Sequence, residues 1–175
     1  MVRVRDIVSS AVFYAGVVGL SALFIHVGST YGWEKVDERF RLMEPKLTRG
    51  DYCWVNKRQC QPDQLTYGDI IMFTCPLRKR TGYTYEFARV LGKPGDVVAM
   101  RDHRLYRAER GAHNVLGAME PVTEHYVQLH QRPEDFTEFV VPRNTVFVMF
   151  DDRTRRDALC DLLVPVRAIY GRVLN

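Results

Sequence analysis

Beyond Ser29 the chain contains no serine: Ser9, Ser10, Ser21 and Ser29 are the whole complement. Any domain that folds downstream therefore lacks the hydroxyl nucleophile of serine-dependent acyl transfer, whatever register is chosen for its motifs. The four cysteines, Cys53, Cys60, Cys75 and Cys160, form no C-x-x-C pair, which argues against a zinc ribbon and a thioredoxin-like site, while disulfides among them stay open. His103, His113, His125 and His130 lie in polar, turn-rich stretches without a helical i, i+4 pair. Surface positions are expected for them, with no metal site and no cofactor. The formal charge of +4 comes from 25 basic and 21 acidic residues spread along the sequence, so the clustered basic face of a nucleic-acid binder is missing. The densest basic run, Arg78-Lys79-Arg80, reads as a solvated loop beside Gly82. Neither an internal repeat nor a low-complexity tract is present, which leaves solenoid and propeller architectures without support.

The longest gap is in charge. From Ile7 to Val27 there is no Asp, Glu, Lys or Arg, and as a helix a run of that length spans about 30 Å, the hydrocarbon thickness of a bilayer. A transmembrane helix is expected over residues 7–27, with Ser9, Ser10, Ser21 and His26 as its polar side chains. Serines can bond back to their own helix, and His26 falls at the interfacial end. A cleaved targeting peptide competes, because Arg3 and Arg5 precede the stretch, yet the run is longer than a usual signal core. Arg3, Arg5 and the amino terminus outweigh Asp6, whereas Glu34 to Arg41 balances three acids against three bases. Positive-inside logic leaves the N-terminus in the matrix or cytoplasm and puts the domain on the opposite side. Tyr31 and Trp33 suit the membrane–water boundary, and Ala11, Ala15, Gly16 and Gly19 would let a neighbouring helix approach.

At 175 residues and 46% hydrophobic, one domain plus an appendage is expected: an anchor over 1–29 and a domain over 30–175. After Trp33 the texture changes to short apolar or alternating runs between turn residues, which predicts strands. They are placed at Tyr52–Asn56, Asp69–Thr74, Tyr85–Leu91, Val97–Arg101, Leu105–Arg107, Phe136–Val141, Val146–Phe150 and Val166–Val173. Gly50-Asp51, Gly68-Asp69, Lys93-Pro94-Gly95-Asp96 and Asp102-His103 punctuate them. The fold class expected is mainly β, an antiparallel domain with one N-terminal helix. Residues of about 108–135 read as an irregular insertion with a weak strand at Tyr126–Leu129.

Three ordered stretches carry a family resemblance. Leu42-Met43-Glu44-Pro45-Lys46-Leu47 with Gly50-Asp51 resembles Ser-Met-x-Pro-Thr-Leu and Gly-Asp. Tyr67-Gly68-Asp69-Ile70-Ile71-Met72-Phe73 is similar to a Gly-Asp-Ile/Val-Val strand, and Ala88-Arg89-Val90-Leu91-Gly92-Lys93-Pro94-Gly95-Asp96 to Lys-Arg-Val-x-Gly-x-Pro-Gly-Asp. A weaker echo is Pro142 followed by Val146 to Arg153, against a strand running into Gly-Asp-Asn-Arg. On these motifs the chain resembles the signal peptidase I family, and its length and single span resemble the short mitochondrial inner-membrane peptidase branch.

The resemblance implies a serine nucleophile and a neutral lysine base, a lysine whose pKa is lowered by burial. Matched residue by residue, the nucleophile position falls on Leu42 and the base position on Ala88. The oxyanion-binding residue two places before the nucleophile aligns with Phe40, and the family's Ser-x-Asp-Ser-Arg aligns with Arg155-Arg156-Asp157-Ala158-Leu159, a following glycine with Leu162. No catalytic residue is therefore assigned. Thr48, Thr74, Cys53 and Cys75 are the nearest replacement nucleophiles, but both cysteines fall on strands, where a small core side chain is the usual role. Lys93, in a turn, is expected solvated and cationic, and Lys46 stands where the family has threonine.

Backbone-shaping residues remain while proton- and acyl-transferring ones do not. The expectation is a pseudo-peptidase acting as a structural or accessory subunit of an inner-membrane complex of respiratory or ATP-synthase type. Its partners would be the membrane, through residues 7–27, and other complex subunits, with no nucleic acid. One alternative is a substrate-holding partner of an active inner-membrane peptidase; another is a peptidase with a relocated cysteine nucleophile. The location expected is the mitochondrial inner membrane with the domain in the intermembrane space, the alternative being a bacterial plasma membrane with a periplasmic domain.

Overall fold

The computed structural model describes residues 4–36, 43–48, 50–76, 83–111, 119–123, 135–152 and 163–174. Helix α1 (Val4–Thr30) comes first. Its segment Val12–Thr30 has a mean hydropathy of 1.7 and is not buried against the rest of the chain, so Phe13, Phe24 and Ile25 stand bare. Ser21 Oγ donates to Val17 O and Ser29 Oγ to His26 O, both at 2.9 Å. These hydroxyls satisfy themselves within the helix, as an apolar surrounding requires.

No loop separates the helix from the sheet. Strand β1 (Tyr31–Lys35) begins at the residue after Thr30, and Lys57 N donates to Thr30 O at 2.8 Å. One of the carbonyls that a helix end leaves orphaned is thus satisfied by the sheet, fastening the two together.

The remaining strands are β2 (Tyr52–Asn56), β3 (Ile70–Pro76), β4 (Tyr83–Gly92), β5 (Val97–Arg101), β6 (Arg104–Ala108), β7 (Glu120–Pro121), β8 (Phe136–Val140), β9 (Thr145–Met149), β10 (Leu163–Pro165) and β11 (Ile169–Leu174). They build two antiparallel sheets, one ordered β1-β2-β11-β3-β4-β9-β10 and one ordered β7-β6-β5-β8. The larger core gathers Met43, Leu47, Val55, Leu65, Phe73, Phe87, Ala88 and Val148. The smaller surrounds Leu91, Val98, Met100, Leu105 and Phe147. Close packing fixes the pairing of β11 with β2, where a Cβ on Gly171 would stand 2.6 Å from the backbone oxygen of Asn56.

Most expected strands are present with ends shifted by one or two residues. The last differs: Val166–Ala168 forms a 3-10 turn, so the strand expected over Val166–Val173 begins only at Ile169, as β11. Strands β1, β7 and β10 were not expected; the first continues an apolar helix, and the others are too short to show periodicity. The expected strand Tyr126–Leu129 lies outside the described residues.

Three turns share one construction. In Thr48 to Asp51, Thr66 to Asp69 and Lys93 to Asp96, the aspartate carboxylate accepts from the first residue's backbone N–H, at 3.0, 2.8 and 2.7 Å. The aspartate N–H returns a bond to the first residue's carbonyl. The glycine between has φ +89°, +89° or +92°, a region costly for any residue with a Cβ. The repeated Gly-Asp pairs are therefore one local device, used at the mouth of β2, β3 and β5.

Candidate functional site

The corner to which the resemblance assigns chemistry contains Met43 and Ala88. Met43 follows Leu42, which lies outside the described residues together with Phe40, Ala158 and Leu162. Its side chain is fully buried, and Leu47 N returns to Met43 O at 3.0 Å. Ala88, on β4 opposite Ile71 of β3, is also fully buried, in the same apolar cluster as Met43, Val55 and Phe73. At the position that the resemblance gives to the base, then, a methyl group packs among hydrocarbon. Lys46 is exposed and has no place in this cluster.

The neighbouring residue, Arg89, matches the arginine of the motif. Arg89 donates through Nε to Asp151 Oδ1 at 2.8 Å and through Nη2 to Oδ2 at 2.5 Å, while Nη1 reaches Gly68 O at 2.7 Å. Both partners are buried. This bidentate pair ties β4 to the end of β9 and to the turn that opens β3.

The replacement nucleophiles are engaged elsewhere. Cys53 is buried on β2 opposite Glu34; burial, aided by the Glu34 carboxylate, pushes its thiol up to about 11. A thiol that resists ionisation is a poor nucleophile near neutrality. Cys75 is disulfide-bonded and so carries no thiol at all; this settles one open question of the sequence. Cys60 donates to Lys57 O at 3.0 Å, and burial raises its pKa as well. Thr74 Oγ1 donates to Ala168 O at 3.3 Å, and Thr48 Oγ1 donates to Asp51.

A second constellation had not been recognised in the sequence. Asp96, 1% exposed, accepts from Lys93 N and Tyr67 Oη on one oxygen and from Arg110 N on the other, at 2.7, 2.9 and 3.0 Å. Burial first, then the bond to Asp96, raises the Tyr67 phenol above its ordinary pKa. The Arg107 guanidinium lies 3.5 Å from the centroid of the Tyr67 ring and Lys93 Nζ 5.0 Å from it, within cation–π range. Lys93 is thus half-buried over an aromatic face, a correction to the solvated lysine expected from its turn. Two adjoining cavities, of about 700 and about 410 Å³, share Tyr67, Glu109 and Arg110. The only advance signal was the Gly95-Asp96 turn; nothing linked Arg107 to Tyr67, forty residues earlier in the chain by numbering.

Among known families, the pattern of "Signal peptidase, peptidase S26" matches residues 8–174. A protein of Staphylococcus aureus (strain COL) named "Inactive signal peptidase IA" is 29% identical over 140 residues, 75% of this chain and 71% of its own. "Signal peptidase I T" of Bacillus subtilis (strain 168) is 32% identical over 120 residues, 63% of this chain and 55% of its own. The crystal structure of a signal peptidase I from Enterococcus faecalis V583 aligns with a TM-score of 0.44 at 24% identity, covering 63% of this chain and 97% of that one.

Proposed function

The chain belongs to the signal peptidase family, peptidase S26, and on that premise we propose that it is a catalytically inactive member, anchored in a membrane by α1 and serving as an accessory subunit of a complex there. One observation carries the reading: a fully buried methyl, Ala88, occupies the position that the motif match gives to the lysine base. No serine follows Ser29, and the name of the Staphylococcus relative supports the same conclusion.

The bare α1 and its direct fusion to β1 support membrane anchoring through this helix. The relatives are bacterial, which supports the plasma-membrane alternative; the mitochondrial placement draws no support from them. The Cys75 disulfide suits a domain on the oxidising, outer side of such a membrane.

The test is to reconstitute the full chain in vesicles with a signal-peptide substrate and, separately, to crosslink it in native membranes. No cleavage above background and a stable set of membrane-protein partners are expected. Cleavage abolished by Cys53→Ala would instead establish the relocated-cysteine enzyme. Copurification with an active signal peptidase would make the chain that enzyme's substrate-holding partner.

A further inference from the structure

Two arginines in this domain are mounted alike, and one of them, Arg107, has an Nε that meets no acceptor among the described residues. Arg89 spends Nη1 on a backbone carbonyl, Gly68 O, and presents its Nε–Nη2 edge to both oxygens of Asp151. Arg107, on β6, spends Nη1 on Leu91 O at 3.0 Å, and its plane is held against Tyr67. Its Nε is buried without an acceptor among the described residues. Its Nη2 forms a loose ion pair with the exposed Glu109, 3.7 Å from Oε1 and beyond hydrogen-bond range. A buried donor left without an acceptor is costly, so the guanidinium's hydrogen-bonding capacity is incompletely used.

Arg107 belongs to the lining of the larger cavity, about 700 Å³, together with Gly68, Leu91, Arg110, Glu120 and Val122. Charge in it is graded by depth. The Arg107 side chain is 16% exposed, whereas Glu109 is 67% exposed, and Glu120 is likewise exposed. Arg107 therefore sits inside, while Glu109 and Glu120, with Arg110 beside them, stand at the mouth. That order favours a single carboxylate on a chain that also offers N–H donors, and it disfavours a phosphate-rich ligand, which the rim would repel.

We propose that this cavity binds an acidic peptide segment, whose carboxylate pairs with the Arg107 guanidinium, with Arg110 as a second cation. The backbone N–H groups of the peptide meet Glu109 and Glu120. The site lies apart from Met43 and Ala88 and is independent of whether the chain is inert as a peptidase.

The experiment is calorimetric titration of the full chain in detergent with heptapeptides carrying glutamate, glutamine or lysine at alternate positions, each with a free or an amidated C-terminus. The glutamate peptide should bind at least tenfold tighter than the other two, more weakly as salt is raised. Arg107→Gln and Arg107→Lys should each lose about tenfold or more, because lysine keeps the charge but not the fork. Arg110→Gln, at an exposed side chain, should lose a smaller factor without lowering the melting temperature, and Glu109→Gln should tighten binding. A difference confined to free-acid peptides assigns the carboxylate to a chain end, still at Arg107. Equal binding of C-terminally amidated glutamate and glutamine peptides with no free-acid effect, no binding of any peptide, or full binding by folded Arg107→Lys and Arg110→Gln would each overturn the proposal.

Discussion

Arg89 grips Asp151 across the interior with two parallel hydrogen bonds, while its chain neighbour Ala88 is a fully buried methyl. In the motif match these adjacent positions are the structural and the catalytic halves of one Lys-Arg pair. Arg89 is held in a buried ion pair, and Ala88 is part of the apolar core.

Removing either member of the Arg89–Asp151 pair leaves a buried charge uncompensated, which typically costs 3–5 kcal/mol. Asp151→Asn and Arg89→Met should each show a loss of about that size in urea unfolding of the full chain in detergent. Combined Arg89→Met and Asp151→Leu should lose less than the sum of the single changes, since no lone charge then remains. Additive losses would mean that the pair contributes nothing as a pair.

Restoring lysine at position 88 would place an ammonium in the cluster around Met43 and Val55. Burial depresses a lysine pKa by up to about 3–5 units, at about 1.4 kcal/mol each. Ala88→Lys should therefore destabilise the protein by about 4 kcal/mol or more at pH 7. The folded form holds this lysine neutral while the unfolded form binds a proton, so stability rises with pH up to the unfolded pKa near 10. The deficit relative to the parent chain should shrink between pH 7 and 10. A constant deficit would show that crowding, not charge, is the cause.

The Cys53 thiol gives the opposite sign. Its folded pKa, about 11, lies above its ordinary value of 9.0, chiefly because of burial. Its contribution to stability is fully present below pH 9 and is lost as pH rises toward 11, where the unfolded thiol has ionised first. The urea midpoint of the parent chain should fall over that range more steeply than that of Cys53→Ala. The same burial should make alkylation of Cys53 near pH 8 slow until denaturant is added; rapid labelling of the native protein would contradict it.

The sequence conveyed the fold well where local chemistry is self-contained. The span is visible because an uncharged helix needs no partner, and the Gly-Asp turns because each is closed within four residues, as Thr66 to Asp69 shows. It was silent where distant groups decide. Strand β1 is defined by pairing Trp33 with Trp54 and Glu34 with Cys53, and only β2 reveals that a helix flank is sheet. Likewise, Lys93 reads as a solvated turn residue until Tyr67 is brought beneath it, and Arg107 as an ordinary strand arginine until its orphaned Nε is seen.

The chain's two tryptophans, Trp33 and Trp54, supply a direct test of the proposed membrane attachment through α1. They face each other across β1 and β2 with ring centroids 4.5 Å apart, and Tyr52 stacks on Trp33 at 5.4 Å. All three are about half exposed, on the strands fastened to the end of α1 by Lys57 and Thr30. Amphipathic rings exposed at the end of a spanning helix belong at headgroup depth. In bilayer vesicles, intrinsic fluorescence should be quenched most by lipids brominated near the headgroup and less by those brominated near the chain ends. Trp54→Phe should leave a signal from Trp33 with the same depth order, and Tyr52→Ala should weaken the quenching without unfolding the domain. If soluble iodide quenches both rings fully while brominated lipids do not, the aromatic face points away from the bilayer and α1 alone makes the attachment.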